Sequence, residues 1–110
     1  MKIEGAQFTV VDWKKVAPTT HPGIEGAASW RTVGAGNARV RIVEYSPGYV
    51  ADHWCSKGHV VFVLEGELTT ELKDGRKFVI AAGSSFYVEE DERNPHTTRT
   101  GKGAKLFIVD

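Results

Sequence analysis

Gly48-Tyr49-Val50-Ala51-Asp52-His53-Trp54-Cys55-Ser56-Lys57-Gly58-His59-Val60-Val61-Phe62-Val63-Leu64-Glu65-Gly66 carries the pattern that decides how this 110-residue chain is read. Two histidines and the only cysteine fall between positions 53 and 59. His53 and Cys55 are two apart, which on a strand puts both side chains on one face, about 7 Å apart along the chain. An imidazole and a thiolate so placed can converge on one ion, because metal–ligand distances are about 2.0–2.3 Å. Ser56-Lys57-Gly58 can bend the chain and return His59 to the same place. Val60 to Leu64 is a continuous apolar run, which predicts a central strand buried on both faces. Glu65-Gly66 is expected to end it.

Outward from this stretch the chain reads as short strands punctuated by turns. Phe8 to Val11, Ala28 to Val33 and Ala38 to Tyr45 are predicted strands, the last two joined around Gly34-Ala35-Gly36-Asn37. Asp12 to Val16 is the one helical candidate, about one turn long, with Asp12 as N-cap. Pro18 through Gly26 holds prolines and glycines and reads as loop. Ser46-Pro47-Gly48 is a turn. Glu67 to Lys73 alternates, with Leu68, Thr70 and Leu72 on one face. Asp74-Gly75 predicts a hairpin into Lys77 to Ile80. Ala82-Gly83 turns into a strand over Ser84 to Val88. Glu89 to Pro95 is a charged loop, and Lys105 to Val109, apolar on both faces, suits a closing strand. Many short strands at such spacing mean a β-sandwich or β-barrel, and the pattern alone leaves immunoglobulin-like and jelly-roll topologies both open.

Composition narrows the classes. Hydrophobic residues make up 41% and charged residues 25%, with a formal net charge of +0, an ordinary globular balance. Nucleic-acid and membrane-surface binding need a basic excess that is absent here. No apolar run approaches the roughly 18 residues of a membrane span, and MKIEGAQFTVVDW does not read as a signal peptide. One cysteine excludes an internal disulfide and fits a reducing compartment, so the cytoplasm is the expected location.

Each candidate residue has a plainer alternative. His21 sits in a Pro/Gly loop and reads as a surface or hydrogen-bonded histidine. Cys55 could be a small buried hydrophobe, or a nucleophile with His53 or His59 as base. The neighbouring histidines favour a metal ligand instead. The acidic run Glu89-Glu90-Asp91-Glu92 reads as solvated surface rather than a carboxylate site. Trp54 alternates away from His53 and Cys55 and is expected to pack behind the site. Tyr45, Tyr49 and Tyr87 are candidate pocket residues. Asp52 could orient a ligand imidazole.

The quoted stretch resembles the first conserved motif of the cupin superfamily: glycine, five residues, His-x-His, three or four residues, glutamate, six residues, glycine. Setting the last glycine on Gly66 puts His59 on the glutamate, Cys55 on the second histidine and His53 on the first. Gly48 precedes His53 by one residue fewer than the motif. Gly83 through His96 resembles the second motif, with His96 on its metal-binding histidine, although the loop is longer by about two residues and the usual proline and asparagine are missing. Val63-Leu64-Glu65-Gly66-Glu67-Leu68 followed by Lys73-Asp74-Gly75 is also cupin-like. The resemblance covers roughly residues 38–109 and extends to a subgroup with an Asp-His-Trp-Cys motif.

What the resemblance implies is an all-β double-stranded β-helix, the cupin jelly-roll barrel. Residues 1–110 would be one domain, with 1–37 as N-terminal strands and loop and 38–110 as the core. It also implies a homodimer, an expectation supported by the two-faced apolar strand Lys105 to Val109. His53, Cys55, His59 and His96 would hold one divalent transition metal. Exchanging a carboxylate for imidazole and an imidazole for thiolate favours zinc over iron, nickel, manganese or copper. A thiolate beside iron and oxygen is prone to oxidation, which argues against a simple dioxygenase. Cupin activities are too diverse to transfer. The expectation is a small metalloenzyme with oxygenase- or isomerase-type chemistry on a small molecule, no residue being assigned to catalysis. The other reading is a non-catalytic binding or sensing module with a structural metal or none.

Overall fold

A computed structural model describes residues 2–110. Eight strands follow one 3-10 turn: β1 (Thr19–Pro22), β2 (Ala27–Ala35), β3 (Ala38–Tyr45), β4 (His59–Leu72), β5 (Lys77–Ala81), β6 (Ser85–Val88), β7 (His96–Arg99) and β8 (Ala104–Val109). The turn, Trp13–Lys15, is capped as expected, the Asp12 carboxylate accepting from the Lys14 amide at 3.2 Å. All the pairings are antiparallel. The order runs β1-β2-β3-β8-β4-β5, with β6 and β7 also pairing with β4.

The long strand β4 builds both layers. Its first half pairs with β8 and β6, and its second half with β5 and β7. Between the halves the register slips by one residue at Val63/Glu65. Such a bulge bends a strand and raises its twist. The slip also switches which residues face inward: Val61 and Val63 are buried before it, Leu68 and Thr70 after it. Gly66 follows at φ 76°, and a Cβ there would meet the Gly103 carbonyl oxygen at 2.2 Å. Glycine is required on both counts. Val43, Val61, Val63, Leu68, Leu106 and Ile108 form the centre of the core.

Four expectations need correction. Val60 to Leu64 is not buried on both faces: Val60, Phe62 and Leu64 are exposed on the outside. Glu65-Gly66 does not end the strand but lies in its bend. Phe8 to Val11 forms no strand, with Phe8 96% and Val10 83% exposed. The stretch Pro18 to Gly26 is not all loop. Thr19–Pro22 pairs with Ala27–Trp30 at the sheet edge, where a proline is tolerated. Among the described residues no helix is long and apolar enough to cross a membrane.

Candidate metal centre

Cys55 and His96 face each other across a hydrogen-bonded antiparallel pair. The Cys55 amide donates to the His96 carbonyl at 2.7 Å, and the His96 amide returns the bond at 2.8 Å. Directly opposed residues point side chains to the same face, so two backbone bonds fix two donors. His59 opens β4, in the half of the strand that pairs with β6 and β8, whereas His96 lies on β7, which pairs with the second half of β4, so His59 enters from the other layer. The ligand atoms of Cys55, His59 and His96 all lie within 4.8 Å of one another.

The two imidazoles approach Nε2 to Nε2 at 2.9 Å. One ring nitrogen must then donate and the other accept. Two imidazole nitrogens on a tetrahedral zinc sit about 3.3 Å apart at bond lengths of 2.0–2.1 Å. The pair therefore fits such an ion with a shift of a few tenths of an ångström. Burial holds His96 at about 4, helped by the charges of His59 and His53. Burial likewise lowers His59 against the opposing pull of Asp110. Both rings are neutral at pH 7, the form that binds metal.

His53 is placed differently. The chain bends at Asp52 and His53, so strand alternation does not carry back from Cys55. The His53 side chain is 60% exposed, and its Nδ1 lies 2.8 Å from the Asp52 carboxylate. It borders the same cavity yet stands outside the three-donor group. His21, in strand β1, stacks on Trp30 at 3.7 Å and meets the Thr19 hydroxyl at 2.8 Å, away from the group. Trp54 turns away from the cavity and carries the Lys73 ammonium over its ring at 4.4 Å. Tyr45 and Tyr49 stack at 4.3 Å in the cavity wall, where burial raises both hydroxyls. Tyr87 points outward, opposite Val60, because Phe86 takes the inward position of β6.

The donors border a cavity of about 120 Å³ between the layers. Val43, Val61, Leu68, Phe86 and Leu106 supply apolar walls. The polar side was missed by the sequence reading: Arg39, Arg41 and Asp110. Asp110 has a fully buried carboxylate held by Arg39 at 2.9 and 3.0 Å and by Arg41 at 2.9 Å. Burial pushes its pKa up, but the Arg39 hydrogen bond and the two guanidinium charges outweigh that and hold it at about 2. Its Oδ2 also lies 3.5 Å from His59 Nδ1, a nitrogen with no closer partner. That is the position from which a carboxylate orients a ligand imidazole. The available signal was Arg39-x-Arg41: two arginines on one face of a predicted strand that should otherwise be apolar.

The profile of the cupin domain matches residues 41–110, and the chain belongs to the cupin family. No curated protein matches it. Among solved structures it is similar to an RmlC-like cupin from Shewanella frigidimarina, at TM-score 0.71 and 21% identity, over 94% of this chain and 89% of that one. It is also similar to a predicted oxalate decarboxylase from Thermotoga maritima, at TM-score 0.76 and 16% identity, over 92% and 96%. A third is Fe(II)-HppE with an alternative substrate, at TM-score 0.70 and 18% identity, where 94% of this chain matches 60% of the other. At these identities the likeness concerns the fold.

Proposed function

We propose that the protein is a small metalloenzyme in which Cys55, His59 and His96 hold one divalent transition metal. The carrying observation is the convergence of the three ligand atoms within 4.8 Å at the edge of a cavity between the layers. Two neutral imidazoles and a thiolate suit zinc. Three protein donors leave a position for water or substrate, which separates catalytic from structural zinc sites. Such an ion would polarise a carbonyl or activate water on a small molecule. Cys55 and His96 are held by their paired backbone, Asp110 lies 3.5 Å from His59 Nδ1, and Val43, Val61 and Leu68 keep the inner wall apolar. His53 stays at the exposed side of the cavity with Asp52. The similarity to an iron-bound enzyme, Fe(II)-HppE, supports a metal on this fold. The single reduced thiol supports a reducing compartment such as the cytoplasm.

Metal analysis of protein purified without added metal tests the reading. The expected content is about one equivalent, falling below about a tenth in Cys55→Ser and His96→Ala and persisting in His53→Ala. A metal-poor wild-type protein, or full loading of Cys55→Ser, would overturn it.

A further inference from the structure

Arg39 and Arg41 share one carboxylate, that of Asp110, which leaves one guanidinium charge unbalanced in the cavity wall. Lys57 adds a further positive charge to the same lining. Arg39, with its side chain 37% exposed, also meets solvent, whereas the deeper arginine does not. Arg41 is only 6% exposed, and its guanidinium lies 4.4 Å over the Trp30 ring, itself stacked on His21. Those contacts fix the plane of the fork. One nitrogen, Nη2, bonds Asp110 at 2.9 Å. Nε is buried with no partner, and among the described residues Nη1 has none either. A buried cation with spare donors is costly unless an anion meets it. The Cys55 thiolate does not fill that role once its charge serves the metal.

We propose that the cavity binds a small carboxylate, its charge answered by Arg41 and its carbon skeleton facing the partly buried Tyr45 and Phe86 of the lining. Nη1 carries the contact, since Nη2 is engaged by Asp110 and Nε is buried, so a ligand oxygen takes one charge-assisted hydrogen bond there. Size bounds it. A cavity of about 120 Å³ is slightly smaller than the roughly 150 Å³ cavity that takes benzene, so about six heavy atoms fit within it and anything larger extends out past His53 and Lys57. Asp110 Oδ2 bonds Arg41 at 2.9 Å and lies 3.5 Å from His59 Nδ1, so a carboxylate on Arg41 would sit in the cavity that the three metal donors border. As the substrate class of the metal centre this inference rests on the reading above; as a binding site it does not.

Calorimetric titration of wild-type protein, both chelator-treated and zinc-loaded, with pyruvate, acetate and the neutral analogues pyruvamide and acetamide tests the site. The expected result is saturable binding of the carboxylates in both forms, at least about tenfold tighter than the amides. Arg41→Gln should lose most of that preference and Lys57→Gln a smaller part. Equal binding of acid and amide, or no saturation with any carboxylate, would overturn the proposal even if Arg41→Gln fails to fold. So would unchanged affinity in a folded Arg41→Gln protein. Zinc retained by the zinc-loaded samples after dialysis separates the two readings: about one equivalent of zinc without carboxylate binding sinks this one, and carboxylate binding with no zinc retained sinks the other.

Discussion

At the residue scale, His96 sets a pH dependence. Its side chain is buried and titrates at about 4 instead of the ordinary 6.5. Between those values the unfolded chain holds a proton that the folded one does not, so stability rises with pH there. In chelator-treated protein the contribution is complete above pH 6.5 and is lost as pH falls towards 4. It amounts to a few kcal/mol, at about 1.4 kcal/mol per pH unit. His59, lowered by the same burial, adds to the trend. Urea unfolding at pH 7 and pH 4.5 checks this, and His96→Asn should flatten much of the slope. His96 was reachable from the sequence only through its motif, because nothing local in Asn94-Pro95-His96 marks a ligand. The bond pair with Cys55 joins residues 41 positions apart, so only pairing across strands brings them together.

At the scale of one element, β4 carries the fold in its bend. Gly66→Ala forces a side chain onto a left-handed backbone at φ 76° and against the Gly103 carbonyl. It should cost about 2 kcal/mol or more, measured by denaturant unfolding. Leu68→Ala removes a side chain 1% exposed in the core and should cost about 2–5 kcal/mol, whereas Leu64→Ala on the outer face should cost less than about 1 kcal/mol. The contrast tests the switch of facing at the bulge. A single apolar run across Val60 to Leu64 gives no hint of alternation, since the outer residues are as apolar as the inner ones. The slip of one residue is likewise invisible in the sequence: it is fixed by the pairing of Glu65 with Lys105 and Gly66 with Ala104.

At the scale of the whole molecule, the apolar surfaces outside the core call for a partner. Val60, Phe62 and Leu64 lie exposed on β4, with Tyr87 beside Val60 on β6. Phe107 and Val109 of β8 stand in register with Phe62 and Val60 on the same face. Phe8 and Val10 are exposed on a segment outside the strands. Contiguous exposed apolar residues of this kind mark interaction sites. We propose that a second copy covers them, because one chain offers both an apolar sheet face and an unpaired apolar segment, and a twofold pair buries each twice. Light scattering should give twice the 12.1 kDa chain mass, with Phe62→Glu and Phe8→Glu shifting it towards monomer. A wild-type monomer would remove the claim.

By itself the sequence determined the all-β class, most strand positions, the capped turn at Asp12 and three residues that share a candidate metal site. The turns, strands and cap are local, since turn glycines and β-branched runs act within a few neighbours, whereas His96 came only from its motif. Only the tertiary structure decided that His53 stands apart, that Val60, Phe62 and Leu64 face outward, and that Arg39, Arg41 and Asp110 line the cavity beside the donors. The physical reason is that a bend before Cys55 and a one-residue slip within β4 reset which face each side chain takes. Asp110 meets Arg39 and Arg41 across 71 and 69 residues of chain, and no local pattern records a pairing of that range.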